Sequence, residues 1–260
     1  MRLFLRKILH RDSAAYRIMR TCYHWFSDIW LFDILNTYVA YKGDVNFIQI
    51  GSNDGKNGDP IFPYIKRAGW KGILVEPVPY LFERLKNNYT GFSDKLIFEN
   101  SAIANENGRL KFYRLQANDV TDLPVWYDQL GSFKKEVVLR HKNWFPRFDD
   151  LLIEDTVNAI TFPDLLQKHK VQKLNLVHID TEGYDYEIIK TIPFDDIEID
   201  LVMFEHRHLS YPEYKASVKL LHSKGFKVHK NNGADTTAIK KHILDSLQDY
   251  KKEWVGDDRI

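Results

Sequence analysis

The chain has 260 residues, of which 44% are hydrophobic and 14% aromatic, enough for one large domain or a domain with an appendage. Its 37 basic and 36 acidic residues nearly cancel, so no global basic field points to nucleic acid. Cys22 is the sole cysteine, which rules out an intramolecular disulfide and fits a reducing, cytoplasmic setting.

Residues 1–20 are locally basic, with Arg2, Arg6, Lys7, Arg11, Arg17 and Arg20 facing only Asp12, and Leu3, Leu5, Ile8 and Leu9 interleaved. The pattern predicts an amphipathic helix. A helix packed on the domain with a solvated basic face is the plainer reading; peripheral contact with an anionic membrane surface is the sharper one. Residues 21–42 are aromatic-rich and predict a second helix covering the sheet, so 1–42 reads as an N-terminal helical extension. The segment Trp25 to Ala40 carries Asp28 and Asp33 and falls short of a spanning helix. The start of the chain shows no long apolar run and no small-residue cleavage site, so no secretion signal is expected.

Val45-Asn46-Phe47-Ile48-Gln49-Ile50 predicts a buried strand, broken at once by Gly51-Ser52-Asn53-Asp54-Gly55. Asp59 as N-cap and Pro60 at the first helical position predict a helix to about residue 68, ended by Gly69. Lys71 to Glu76 predicts a second strand ending in an acid. Pro79 opens a helix to about Tyr89, and Lys95 to Asn100 is a third strand, leading into Ser101-Ala102-Ile103. Strand–helix alternation of this kind argues for a parallel α/β sheet. Gly108 to Leu115 reads as a strand or hairpin arm.

Residues 116–150 break the alternation, with a helix expected near 132–141, and are read as a lid over an acceptor. Ala159 to Phe162 predicts a short strand and Pro163 to His169 a helix. Leu174 to Asp180 is another strand ending in an acid, followed by Thr181-Glu182-Gly183 and a helix over Tyr186 to Thr191. Ile199 to Glu205 is the next strand, a helix spans about 212–224, and Phe226–Lys230 with Thr236–Ile239 predicts a terminal hairpin. A charged tail, 241–260, reads as a fraying helix.

In open parallel sheets ligands bind beyond the carboxyl ends of the strands. The Gly51–Gly55 turn, Glu76, Asn100-Ser101 and the Asp180–Gly183 turn all fall there. Glu76 lies about 25 residues beyond Gly51, near the ~20-residue spacing at which an acid grips a ribose. A nicotinamide-type turn would read G-x-G-x-x-G; this one does not, and Asp54 would repel a pyrophosphate. An acidic, amide-rich turn suits a cofactor with positive charge near its ribose, such as S-adenosylmethionine.

F-I-Q-I-G-S-N-D-G, G-I-L-V-E-P, L-V-H-I-D-T-E-G-Y-D and L-V-M-F-E-H, in that order over about residues 45–240, resemble the FkbM family of S-adenosylmethionine-dependent methyltransferases. The resemblance implies a class I methyltransferase, Rossmann-like α/β fold: a mostly parallel seven-stranded sheet, an antiparallel last strand and helices on both faces. It implies a methyltransferase domain over 43–240 that methylates hydroxyl groups, often on sugars or polyketide rings. Gly51, Asn53, Asp54 and Gly55 match the cofactor loop and Glu76 the ribose-binding acid. Ser101 and Ala102 fall at the adenine edge, and Asp180, Glu182 and Gly183 match the acid turn. Ser52-Asn53-Asp54 replaces the broader class's second glycine.

Deprotonating a hydroxyl calls for a base, and Asp180, Glu182, His206 and His208 are the candidates, with Asp180, His206 and His208 preferred. A divalent metal on Asp180 with Glu205 or His206 is an alternative that is not the expected one. His178 is read as a core residue. Trp126, Tyr127 and Trp144 are read as sugar-stacking rings, with packing of the lid as the plainer explanation. Lys134, Lys135, Arg140, Lys142 and Arg147 suggest an anionic acceptor, such as a phosphate-bearing glycan precursor, with Arg147 the named contact; a solvated helix face is the duller alternative. The competing functions are an N- or carboxyl-methyltransferase, a nicotinamide-dependent oxidoreductase and a non-catalytic binding module.

Overall fold

The computed structural model describes residues 34–92, 94–116, 123, 126–144, 147–231 and 233–248. In chain order its strands are β1 (Asn46–Ile50), β2 (Lys71–Val75), β3 (Leu96–Glu99), β4 (Ala102–Ile103), β5 (Gly108–Leu115) and β6 (Gly131–Ser132). Then follow β7 (Leu152–Ile160), β8 (Leu176–Ile179), β9 (Leu201–Glu205), β10 (Phe226–Lys230) and β11 (Asp235–Lys240). Seven of them form one sheet in the order β10-β11-β9-β8-β1-β2-β3. Neighbours are parallel except that β11 runs antiparallel to both β9 and β10. This is the α/β arrangement with a reversed last strand that the sequence predicts.

The sheet is buried on both faces, so its strands read as apolar runs rather than alternating ones. Successive side chains still point to opposite faces. Phe47 joins one apolar core with Leu74, Leu176 and Leu201, while Ile48 and Ile50 join the other with Val177, Ile179 and Phe204. His178 lies buried in mid-strand with Nδ1 at 3.1 Å from Gln49 Nε2, a satisfied core position.

Both chain ends of the domain contribute to the first core. Residues 34–42 are helical and bury Leu35 and Tyr38, and Lys42 Nζ meets Asp200 Oδ2 at 2.9 Å. The predicted basic helix, and with it the membrane contact, lies outside the described residues. Residues 241–248 are also helical and bury Ile243 and Leu247, so this part of the predicted tail belongs to the core. Among the described residues no helix is long and apolar enough to cross a membrane.

Two local expectations need correction. The helix after β1 is Phe62–Ala68, with Ile61 as N-cap and Pro63 in its first turn. Asp59 instead accepts the Ile61 N–H through Oδ1 at 2.9 Å, closing a small turn ahead of the helix. Secondly, the strand expected over Ala159 to Phe162 begins at Leu152 and ends at Ile160. Its exposed residues hid it: Glu154 and Asn158 face water while Val157 and Ala159 face inward. Pairing with β5, from Gly108 against Ala159 to Leu115 against Leu152, stabilises it.

That antiparallel pair is the centre of a second sheet, in the order β4-β7-β5-β6. The expected helix near 132–141 is only Lys135–Leu139, because β6 occupies the preceding residues. The segment between β5 and β7 has its own core of Leu115, Tyr127, Leu130, Val138, Phe148 and Leu151.

Candidate active site

Two turns meet at the carboxyl ends of the central strands. Gly51 at φ 76° directs the first turn past the second so closely that a Cβ there would lie 1.8 Å from the Asp180 carbonyl oxygen. Only glycine fits that approach. Each turn also holds a non-glycine residue in the left-handed region, Asn53 at φ 49° and Glu182 at φ 51°. Such backbone is uncommon, and the surrounding contacts must enforce it.

Those contacts are visible. Asn53 N donates to Glu76 Oε2 at 2.9 Å, and Val78 N donates to Glu76 Oε1 at 2.9 Å. Asn100 Nδ2 fixes the Glu76 backbone oxygen at 2.8 Å. The β8 turn is held by Asp185, fully buried. Its Oδ2 accepts from Thr181 Oγ1 at 3.0 Å and Gly183 N at 3.3 Å, and its Oδ1 from Glu205 N at 3.1 Å. Ser132 of β6 adds a bond from Oγ to the Glu182 backbone oxygen at 2.8 Å.

One cavity opens between the turns. Gly51, Asn53, Glu76, Ser101, Ala102, Asp180 and Glu182 all line it, so seven of the nine predicted cofactor residues converge. Asp54 and Gly55 do not reach it. The Asp54 carboxylate turns back to accept from Lys56 N at 3.0 Å and Asn57 N at 2.9 Å. A Cβ on Gly55 would meet Leu85 and Tyr89, so that glycine serves packing of the helix Pro79–Asn88. Val78, Leu81, Phe112 and Phe133 form the apolar wall. Asp128 also faces the cavity: its Oδ2 accepts from Arg84 Nη1 at 2.6 Å, while its buried Oδ1 has no hydrogen-bond partner. Nothing in the local sequence marks Asp128, because it sits in the irregular segment and depends on that segment's packing.

Electrostatics divide the cavity. Burial raises Glu76 to about 7, against the lowering effect of its two N–H donors. At the other end carboxylates crowd together. Burial, then the charge of Glu182, raises Asp180 well above the ordinary range. Burial and then Asp185 raise Glu182 to about 7, and burial followed by Asp180 and Glu182 pushes Glu205 up to about 12. His208 joins this group, and burial followed by the charges of His141, Arg207 and Arg140 lowers it to about 4, so the imidazole is neutral at pH 7.

The remaining predicted residues lie elsewhere. His206 is turned away from the cavity: Nδ1 sits 3.0 Å from Thr236 Oγ1 and the ring packs on Tyr214. Tyr127 is buried in the small core of its own segment. Trp126 and Trp144 are exposed and meet edge to face, and Trp144 meets His141, whose ring is 5.3 Å from that of His208. Arg147 pairs with Asp150, Lys142 with Asp149 and Lys134 with Glu213, so these predicted anion-binding cations are engaged within the chain.

A seven-stranded sheet with a reversed last strand, and a ligand cavity beyond β1, β2 and β8, defines the class I methyltransferase fold. A model of the methyltransferase FkbM domain matches residues 49–228, and the chain belongs to the FkbM methyltransferase family. Among solved structures it is similar to the methyltransferase FkbM from Methylobacillus flagellatus KT, at 9% identity and a TM-score of 0.47, over 76% of this chain and 44% of that one. This chain therefore spans less than half of that protein's length. It is also similar to the N-terminal domain of human METTL16 (11% identity, TM-score 0.42, 81% and 66% covered). A third is the Methanococcus jannaschii fibrillarin pre-rRNA processing protein (11% identity, TM-score 0.39, 77% and 68% covered). No curated protein matches the chain in sequence.

Proposed function

We propose that this protein transfers a methyl group from S-adenosylmethionine to a hydroxyl of a sugar, glycan precursor or related metabolite. The observation that carries this reading is Glu76: a buried carboxylate at the end of β2, oriented by two backbone N–H groups, in the same cavity as the acids of the β8 turn. Each of its oxygens keeps a lone pair for a ribose hydroxyl. The other residues fit the same molecule. Val78, Leu81, Phe112 and Phe133 suit the faces of adenine, and the unpaired Asp128 Oδ1 suits its amino group. Asp180 and Glu182 suit its cationic end.

When bound, S-adenosylmethionine supplies a methyl group already activated by its sulfonium. The protein's own task is then to place the acceptor oxygen, exclude water and take a proton. Asp180 is the proton acceptor in this reading. It lines the cavity, and burial, followed by crowding by Glu182, raises its affinity for the hydroxyl's proton once it is ionised. The exposed Trp126–Trp144 pair supports a carbohydrate acceptor, since a ring series through His141 leads from it to His208 at the acid end.

Calorimetry with S-adenosylmethionine and with NAD tests the cofactor. Heat with the first and none with the second is expected, and the reverse overturns the reading. Labelled methyl groups chased into a cell extract, with mass spectrometry of the product, test the acceptor. A labelled amine or carboxyl group would replace the hydroxyl in this proposal.

A further inference from the structure

Three side chains at the acid end belong to different segments: Glu182 to the β8 turn, Glu205 to the last position of β9, and His208 to the loop beyond it. Each offers one ligand atom, and these atoms lie within 4.8 Å of one another. His208 Nε2 is 3.0 Å from Glu182 Oε2 and 3.7 Å from Glu205 Oε1.

These approaches lack hydrogen-bond alignment, and Glu182 Oε2 and Glu205 Oε2 have no hydrogen-bond partner. The Glu205 side chain is only 6% exposed. An unpaired carboxylate oxygen at that depth is costly, because burial strips its water without returning a donor. Asp180 and Asp185 add negative charge around it. Asp185 is committed to Thr181, Gly183 and Glu205 backbone, so it offers nothing in return. The Glu76 end of the cavity is different, since there each carboxylate oxygen has its N–H. What the acid end lacks is a cation at the point where the two carboxyl groups and the neutral imidazole converge, without which both acids cannot ionise together.

We propose that Glu182, Glu205 and His208 bind a divalent cation of the Mn²⁺ or Mg²⁺ type, which holds the acceptor's hydroxyl oxygen at the end of the cavity. Two carboxylate oxygens suit Mn²⁺ and Mg²⁺ alike, the imidazole nitrogen favours Mn²⁺ of the two, and three protein ligands leave positions for water and substrate. Glu182 belongs both to this set and to the cavity lining, which places the site beside the cofactor cavity. A hydroxyl on the ion is acidified; its O–H bond breaks, the electron pair stays on oxygen, and the proton passes to the Asp180 carboxylate. This departs from the sequence expectation of no metal and uses a different ligand set from the Asp180 alternative. The ion's role rests on the methyl-transfer reading, whereas its binding does not.

Titration of the full chain with Mn²⁺ at pH 7.5, followed by electron paramagnetic resonance, tests the site without turnover. One Mn²⁺ per chain is expected, with affinity lowered at least tenfold in Glu205→Gln and in Glu182→Gln. Both variants keep side-chain volume, and a neutral amide replaces an acid whose ionisation burial already opposes, so folding is expected to survive, and circular dichroism checks it. Glu198→Gln serves as control, since Glu198, Asp200 and His242 form a second, more exposed group, and it should leave the titration unchanged. Absence of Mn²⁺ binding in the wild type overturns the proposal, as does binding that resists both Glu205→Gln and Glu182→Gln or is lost in Glu198→Gln. Heat with S-adenosylmethionine alongside no Mn²⁺ binding would remove the ion and keep the cofactor; Mn²⁺ binding without that heat would do the opposite.

Discussion

The β1 turn and the β8 turn are built alike and behave differently. Each combines a positive-φ glycine with a positive-φ non-glycine residue, and each has a carboxylate that accepts backbone N–H groups, Asp54 in one and Asp185 in the other. They differ in what the facing acid receives. Glu76 faces the β1 turn and gets two N–H donors. Glu205 faces the β8 turn and keeps an oxygen without a partner. The first turn is therefore a site whose charge the backbone already supports, suited to hydroxyl donors. The second is a site whose acids would ionise together only around a cation.

The largest break in this comparison is Gly51→Ala, which acts on both turns at once. The new Cβ would meet Asp180 backbone at 1.8 Å, and backbone cannot swing aside as a side chain can. A loss of about 4 kcal/mol or more is expected, read by urea denaturation. Stability within about 1 kcal/mol of wild type would mean that the turns do not depend on this close approach.

Asp185→Ala separates the turns. It removes three accepted hydrogen bonds at a fully buried site and leaves their donors without a partner. The expected cost is about 3 kcal/mol, offset in part above pH 7, where burial of the charged form already penalises the wild type. An equal cost for Asp54→Ala would erase the distinction, since Asp54 lies in a more open turn and should cost about 1–2 kcal/mol.

Glu76→Gln sharpens the cofactor side. Glu76 is raised to about 7 in the folded, ligand-free protein from an ordinary 4.5. A raised acid contributes stability below its unfolded pKa, and that contribution is lost as pH rises through the folded value. Wild-type stability should therefore fall between about pH 4.5 and 7, and the variant should lack this part of the slope. Ionised Glu76 is the better acceptor for ribose hydroxyls, so S-adenosylmethionine affinity should rise as pH passes through about 7, the folded value. The variant should bind about tenfold more weakly at pH 8, by about 1.5 kcal/mol. Parallel melting curves against pH for the two proteins would remove Glu76 from this account.

Much of the architecture was legible in the chain itself. Buried strands announce themselves as apolar runs, and polar glycine turns mark their ends, because both signals are local. That placed Gly51, Asn53, Glu76, Ser101, Ala102, Asp180 and Glu182 at strand ends, and parallel pairing brings strand ends together. Strand β7 was mostly hidden, because a sheet with one wet face carries outward polar residues such as Glu154 and Asn158, and only pairing with β5 stabilises it.

Side-chain direction was decided by tertiary structure. Asp54 and Asn53 are sequence neighbours, yet one turns to its own backbone and the other's residue lines the cavity, since backbone angles within a turn set where each points. His206 and His208 stand two apart, and only His208 joins Glu182 and Glu205. Asp128 is exposed to the cavity by the packing of a segment with no periodic signal. Local patterns fix where strands end; which distant side chains then meet, and with what charge left over, follows from the order in which the strands pair.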